Sequence, residues 1–233
     1  MIKIPAFIFA RGGSKGLKDK NIKKFNGKPL IYWTIKELKK SKFIDSIYLS
    51  TDSKKIRNIA NKYKIQTPFL RPKNLSKDTS AEIFAWKHFI NFLKKENKMP
   101  SIFFSCPVTS PLREVSDINN MINLFFKKKA DTVVGITESH RNPYFNMMKE
   151  NNRKKLSVVL KPQKKIYNRQ NCPVIYDLTT FGFIVKTKNI LKNKDILKGN
   201  VYGYKVPKNK AIDIDDEQDF KFAEFIMKRN DKS

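Results

Sequence analysis

Cysteine is nearly missing: Cys106 and Cys172 are the only two in 233 residues, and neither lies in a C-x-x-C pair. That excludes a zinc ribbon and a disulfide scaffold, and a reduced, cytoplasmic protein is the simplest expectation. Histidine is as scarce, with His88 and His140 too few for a His-rich metal site. No apolar run approaches the ~20 residues that span a bilayer, so no membrane partner is expected. The opening MIKIPAFIFARGG has a short apolar run and no small-residue cleavage site, so no signal peptide is expected either. Acidic residues are few, 21 against 49 Lys and Arg, for a formal net charge of +28. Arginine supplies only eight of the basic residues, and the longest lysine run is Lys127, Lys128 and Lys129. Base-edge reading favours Arg in a focused patch. Lysine scattered over solvated positions therefore accounts for the charge better than nucleic acid as the main ligand, while the positive field still attracts anionic substrates.

Apolar material is plentiful: 40% of residues are hydrophobic and 18 are Phe, enough for a real core. The apolar run at 4–10 leads into a Gly-containing turn, as in a strand buried on both faces. Helical patterns at 30–38, 53–63, about 80–95, 117–128 and 217–228 alternate with strand patterns at 46–50, 102–106, 132–137, 181–185 and 201–206. Either Thr79 or Ser80 opens the third helix, and one of Thr51, Asp52 and Ser53 caps the second. This alternation predicts a single α/β domain over residues 1–233, a Rossmann-like doubly wound, mostly parallel sheet with ligands at the carboxyl ends of the strands. Residues 140–180 break the rhythm with Pro143, Pro162 and Pro173, and read as a small β-rich insertion that covers a site or pairs with a second subunit.

Nearly every distinctive motif falls at a strand end. The run Ala10-Arg11-Gly12-Gly13-Ser14-Lys15-Gly16 continues to Lys20-Asn21. Its glycines let backbone N–H groups approach an anion, and Arg11, Lys15 and Lys20 can neutralise phosphate. It is neither a Walker loop nor G-x-G-x-x-G. Late in the chain, Ile212-Asp213-Ile214-Asp215-Asp216 would place Asp213 and Asp215 on one face if extended. One or two carboxylates plus substrate phosphates suit Mg²⁺, whereas Asp216 suits a helix cap. Arg71-Pro72 sits at the end of an extended run, and either a ligand contact or a surface loop fits it. In Pro107-Val108-Thr109-Ser110-Pro111-Leu112-Arg113, a rigid polar edge and a plain tight turn fit equally well. In the insertion, Arg141-Asn142-Pro143-Tyr144-Phe145-Asn146 and Asn168-Arg169-Gln170 add polar groups, and Arg169 can pair with a substrate carboxylate.

Taken in order, A-R-x-G-S-K-G…K-N at 10–21, S-T-D at 50–52, R-P…L-x-x-D-T at 71–79, T-S-P-L-R at 109–113, R-Q at 169–170 and D-I-D at 213–215 resemble the cytidylyltransferases that make CMP-sialic acid and related CMP-nonulosonates. The resemblance runs from about residue 4 to 225. R-N-P-Y-F-N and the Y-D pair at 176–177 look closest to the legionaminic-acid branch. It implies a nucleotide-diphospho-sugar transferase type of fold, CTP and Mg²⁺, an acidic sugar and a homodimer. It assigns Arg11, Lys20, Asp213 and Asp215 to catalysis, the last two as metal ligands. Ala10, Arg11, Gly13, Ser14, Lys15, Gly16, Lys20, Asn21, Arg71 and Thr109 fall to CTP, and Ser110, Arg113, Asn142, Tyr144, Arg169 and Gln170 to the sugar. Three positions depart from the family pattern: Pro107 stands where a Gln is usual, Phe145 falls near a usual Lys, and Thr179-Thr180 replaces Asn-Gly or Asn-Ala. All lie on the acceptor side, so a CMP-transferase for another acid sugar, such as 3-deoxy-manno-octulosonate, stands as an alternative, and a basic nucleic-acid-binding protein as one of another class. Among possible general bases, His140 qualifies only by its chemistry.

Overall fold

The computed structural model describes residues 2–14, 16–77, 80–162, 164–193 and 195–230. Strand β1 (Ile4–Phe9) has Ala6, Phe7 and Ile8 buried on both faces, as its unbroken apolar run requires. A two-residue hairpin follows, β2 (Lys24–Phe25) and β3 (Lys28–Pro29), turning at Asn26 and Gly27 with φ of 44° and 76°. Pro29 precedes α1 (Leu30–Lys40), which buries Leu30, Ile31, Ile35 and Leu38 along one stripe. After β4 (Ile44–Ser50), the cap of α2 (Lys54–Lys62) is Ser53, whose Oγ accepts from the Ile56 N–H at 3.4 Å.

Helix α3 (Glu82–Lys95) starts just after the expected point, and Thr79, one of its expected openers, lies outside the described residues. Then come β5 (Ile102–Ser105), α4 (Val115–Lys127), β6 (Thr132–Glu138), and a hairpin of β7 (Met148–Glu150) and β8 (Leu156–Val158). Strand β9 (Tyr176–Lys186), α5 (Thr187–Lys192), β10 (Val201–Lys205) and α6 (Glu217–Asn230) complete the chain.

The six-stranded sheet runs β10-β6-β9-β5-β1-β4. Every strand in it is parallel to the others except β9, which is antiparallel to both β5 and β6. Two apolar layers sandwich the sheet. On one side α1, α2, α4 and α6 pack through Ile35, Ile56, Ile118 and Phe220; on the other, α3 and α5 pack through Trp86, Phe89 and Ile190. The second layer is aromatic: the Phe7 ring stacks on Phe103 and tilts against Phe89, both at 4.8 Å. No helix among the described residues is long and apolar enough to cross a membrane.

Two features differ from the sequence expectation. Strand β9 begins at Tyr176, inside the presumed insertion, because Tyr176, Asp177 and Leu178 extend the β6 ladder beyond the sheet proper, opposite Glu138, Thr137 and Ile136. All three are exposed, so no buried alternation marks them as strand. Helix α5 is six residues long, too short to show a period. The consequence is functional. An antiparallel β9 brings its first half, including Thr180, to the carboxyl ends of β1, β4 and β5, where the signature loops gather.

Candidate active site

The first loop leaves β1 at buried Ala10, whose N–H bonds Ser50 O at 3.1 Å. The Gly12 N–H then donates to Asp52 Oδ1 at 2.8 Å, so the S-T-D motif braces this loop rather than facing a ligand. Asn21 is buried in a 3-10 turn, and its Nδ2 donates to Arg11 O at 2.9 Å, setting the backbone from which the Arg11 side chain departs. Gly13 is exposed with open space where a Cβ would be, and Lys15 lies outside the described residues.

Lys20 ties this loop to the far end of the chain. Its Nζ donates to Ile214 O at 2.5 Å and to Asp215 Oδ1 at 3.2 Å. Ile214 is fully buried, and its N–H donates to Thr109 O at 2.9 Å. Gly16 sits so close that a Cβ there would collide with Asp215 O. Gly16→Ala should therefore push the acid segment off Lys20, lowering turnover by at least about tenfold and also the melting temperature, since Ile214 in that segment is fully buried. Thermal scans beside activity assays check this; unchanged turnover would show that the close approach is incidental.

Arg11, Ser14, Gly16, Lys20, Asn21, Arg71, Thr109 and Asp215 line one cleft of about 650 Å³. The two chain ends expected to converge thus share one opening. Arg71 is buried beneath it, with its N–H on Thr51 O at 2.7 Å and its Nε on Ser76 Oγ at 3.0 Å. Burial lowers its guanidinium pKa, and the charges of Asp52 and Glu82 oppose that shift. Pro107, Thr180 and Glu82 also line the cleft. Glu82 went unnoticed in the sequence because it reads as the first turn of a helix. Glu82 as a whole is exposed at the start of α3, but loss of water around its carboxyl group in the cleft raises the pKa, against a hydrogen bond from Trp86 Nε1 at 3.2 Å and the charge of Arg71.

The two acids differ. Asp215 is 78% exposed along its side chain, with Lys20 as its partner. Asp213 is half-buried, and its Oδ1 is buried with no hydrogen-bond partner. Burial raises the Asp213 pKa, and the Asp215 charge adds to this; the Thr109 and Thr180 hydroxyls and Lys20 pull the other way. A buried carboxylate oxygen without a donor, beside a second carboxylate, fits a cation. Among the described residues no three His, Cys, Asp or Glu side chains gather into a metal group, so the remaining ligands would be substrate oxygens and water. Asp216 caps α6 as expected, accepting from Gln218 and Asp219 N–H at 2.8 and 3.0 Å.

The six sugar candidates separate. Ser110 is buried with its Oγ 2.9 Å from Thr180 Oγ1. Arg113 is buried behind the cleft wall, donating to Phe181 O at 2.5 Å and Pro107 O at 3.1 Å, with the Phe181 ring 5.2 Å away. Asn142, Arg169 and Gln170 line a second hollow of about 300 Å³, formed by residues of the 138–142 and 169–175 stretches. Tyr144 stands beside it, its N–H bonded to Asn142 Oδ1 at 3.0 Å. His140 is exposed and does not line the cleft. Cys106 is fully buried, and burial lifts its thiol pKa to about 11, which removes it as a nucleophile.

The family described as "Cytidylyltransferase" matches residues 6–224. The chain is 33% identical over 231 residues to the post-translational flagellin modification protein B of Campylobacter coli, covering 98% of this chain and 96% of that protein. It is 31% identical over 230 residues to the CMP-N,N'-diacetyllegionaminic acid synthase of Campylobacter jejuni, covering 97% and 96%. In fold it matches a CMP:2-keto-3-deoxy-manno-octonic acid synthetase solved with CTP, with a TM-score of 0.70 at 12% identity over 98% of this chain and 99% of that one.

Proposed function

The chain belongs to the cytidylyltransferase family, and on that footing we propose that it joins CTP to an acidic nonulosonic sugar of the sialic or legionaminic type, releasing pyrophosphate. The observation that carries this reading is the single cleft lined by Arg11 and Lys20 from one end of the chain and Asp215 from the other. The activity named for the Campylobacter jejuni relative supports the acceptor class.

In this reaction the anomeric hydroxyl of the sugar attacks the α-phosphorus of CTP, its proton leaves to solvent, and the bond to the bridging oxygen of pyrophosphate breaks. Such a step depends on alignment and charge neutralisation. Arg11 and Lys20 offset the charge that builds on the departing pyrophosphate. Arg71 and Asn21 hold the nucleotide side, Asn21 by fixing the Arg11 backbone. Asp213 and Asp215 are the residues that would hold Mg²⁺, whose charge would neutralise phosphate oxygens and favour ionisation of the sugar hydroxyl. Thr109 and Thr180 orient the Asp213 carboxylate for that purpose.

The protein is proposed to be cytoplasmic and homodimeric. The insertion supports the second point, because Leu156, Tyr167 and Val174 stand exposed on it. Pyrophosphate release with CTP, Mg²⁺ and a panel of nonulosonic acids tests the function. The expected result is release with a sialic- or legionaminic-type acid. Release only with 3-deoxy-manno-octulosonate would move the acceptor to that sugar, which Thr180 on the cleft wall keeps open. Release with none, together with salt-dependent DNA or RNA binding, would overturn the reading.

A further inference from the structure

The acids lie on an irregular stretch between β10 and α6, so something other than a strand ladder must fix them. Downstream, Asp219 Oδ2 accepts the Asp215 N–H at 3.0 Å, and Lys20 and Thr109 hold Ile214. Upstream the chain makes a turn in which the Lys210 and Ala211 N–H groups bond Pro207 O at 2.9 and 3.1 Å. The side chain of Lys210 leaves that turn and reaches α4. Its Nζ lies 2.9 Å from Glu114 Oε1 and 3.3 Å from Asp117 Oδ2. Those two acids form the capping box of α4, and Tyr204 OH donates to Asp117 Oδ1 at 3.0 Å. Asp117 is 5% exposed, so the ammonium group of Lys210 supplies a partner for a carboxyl group that water barely reaches. Helix α4 follows directly on the loop that carries Thr109. One lysine thus fastens the acid segment to the helix whose leading loop bonds Asp213 and Ile214.

We propose that Lys210 is a positioning residue: by bridging Glu114 and Asp117 it holds residues 212–215 in the arrangement that presents Asp213 and Asp215 to the divalent cation. This rests on the function proposed above. Groups that orient metal ligands from outside are worth roughly 10- to 100-fold in metal affinity. Lys186 provides the control. It makes a comparable ion pair with Asp131, at 2.8 Å, but at the other end of the sheet, where β9 faces the start of β5.

The test is titration of Mn²⁺ into the full-length protein with CTP present, followed by electron paramagnetic resonance, with melting temperatures recorded in parallel. Lys210→Met should weaken Mn²⁺ binding by about tenfold. Lys210→Arg should restore it, and Lys186→Met should leave it at the parent value even where its melting temperature falls as far. Should Lys210→Met not fold, Glu114→Gln, which removes one of the two carboxylates, should weaken Mn²⁺ binding in the same direction. Parent-like Mn²⁺ affinity in Lys210→Met, or in Glu114→Gln where only that variant folds, overturns the inference alone. A parent protein that binds no Mn²⁺ with CTP overturns both the inference and the function on which it rests.

Discussion

Asp213→Asn should lower pyrophosphate release by on the order of 10³-fold, the several kcal/mol that a properly held cation supplies to phosphoryl transfer. The same change should make the metal-free protein more stable at pH 7. Asp213 has a buried oxygen with no donor, and burial raises its folded-state pKa. For an acid shifted upward, the folded state binds the proton more tightly than the unfolded chain does. Its ionised form therefore costs stability once the pH exceeds the folded pKa, and that cost vanishes below the unfolded value of about 3.9. The neutral amide removes the cost, so the variant should melt higher at pH 7 without Mg²⁺, and the gap should close as the pH falls toward 4. Asp215→Asn should reduce turnover strongly too, but with little effect on stability, because Asp215 is 78% exposed. Calorimetry at the two pH values, beside turnover assays, checks both variants. A lower melting temperature for Asp213→Asn at pH 7 would make Asp213 a structural acid, and unchanged Mg²⁺-dependent turnover in Asp215→Asn would refute its metal role.

Arg11→Ala should cost about 2–4 kcal/mol of transition-state stabilisation, as loss of a charge-stabilising donor does elsewhere. Lys20→Met should cost at least as much, for a geometric reason. Lys20 Nζ neutralises Asp215 and also anchors Ile214 O, so its loss removes a cation and loosens the acid segment together. The two variants should differ in metal dependence. Arg11→Ala should keep the parent's Mg²⁺ requirement, whereas Lys20→Met should need more Mg²⁺ for half-maximal rate. Rates measured across a Mg²⁺ series separate them. Equal, parent-like kcat/KM in both would detach the glycine-rich loop from catalysis.

Most of the cleft lining was legible because it lies in contiguous motifs. A buried strand running into Gly12, Gly13 and Gly16, with Arg11 and Lys20 beside them, announces an anion loop, and Asp213 with Asp215 announces a cation. The parallel strands were legible from their apolar runs. Less readable were features created only by long-range pairing. The start of β9 is exposed and carries no alternation, so the arrival of Thr180 at the cleft follows from its pairing with β6 and not from its own residues. Glu82 looks like an ordinary first-turn helix acid, and only the fold places it opposite Arg71. Arg113 illustrates the converse. Its motif marks it for a ligand, and the fold adds what the motif does not show: two of its nitrogens brace the loop through the carbonyls of Phe181 and Pro107, while Nη1 is buried with no hydrogen-bond partner. Lys210 was hidden among many lysines, because composition cannot distinguish a solvated one from one seated between two carboxylates.

In the proposed reaction, basic side chains near the start of the chain and acids near its end grip one metal-bound CTP. An anomalous-difference map from crystals soaked with Mn²⁺ and CTP tests it most directly. The expected result is a manganese peak between Asp213, Asp215 and the triphosphate, with Arg11 and Lys20 against the phosphate oxygens. Nucleotide bound in the insertion hollow beside Arg169, or manganese away from both aspartates, would contradict it.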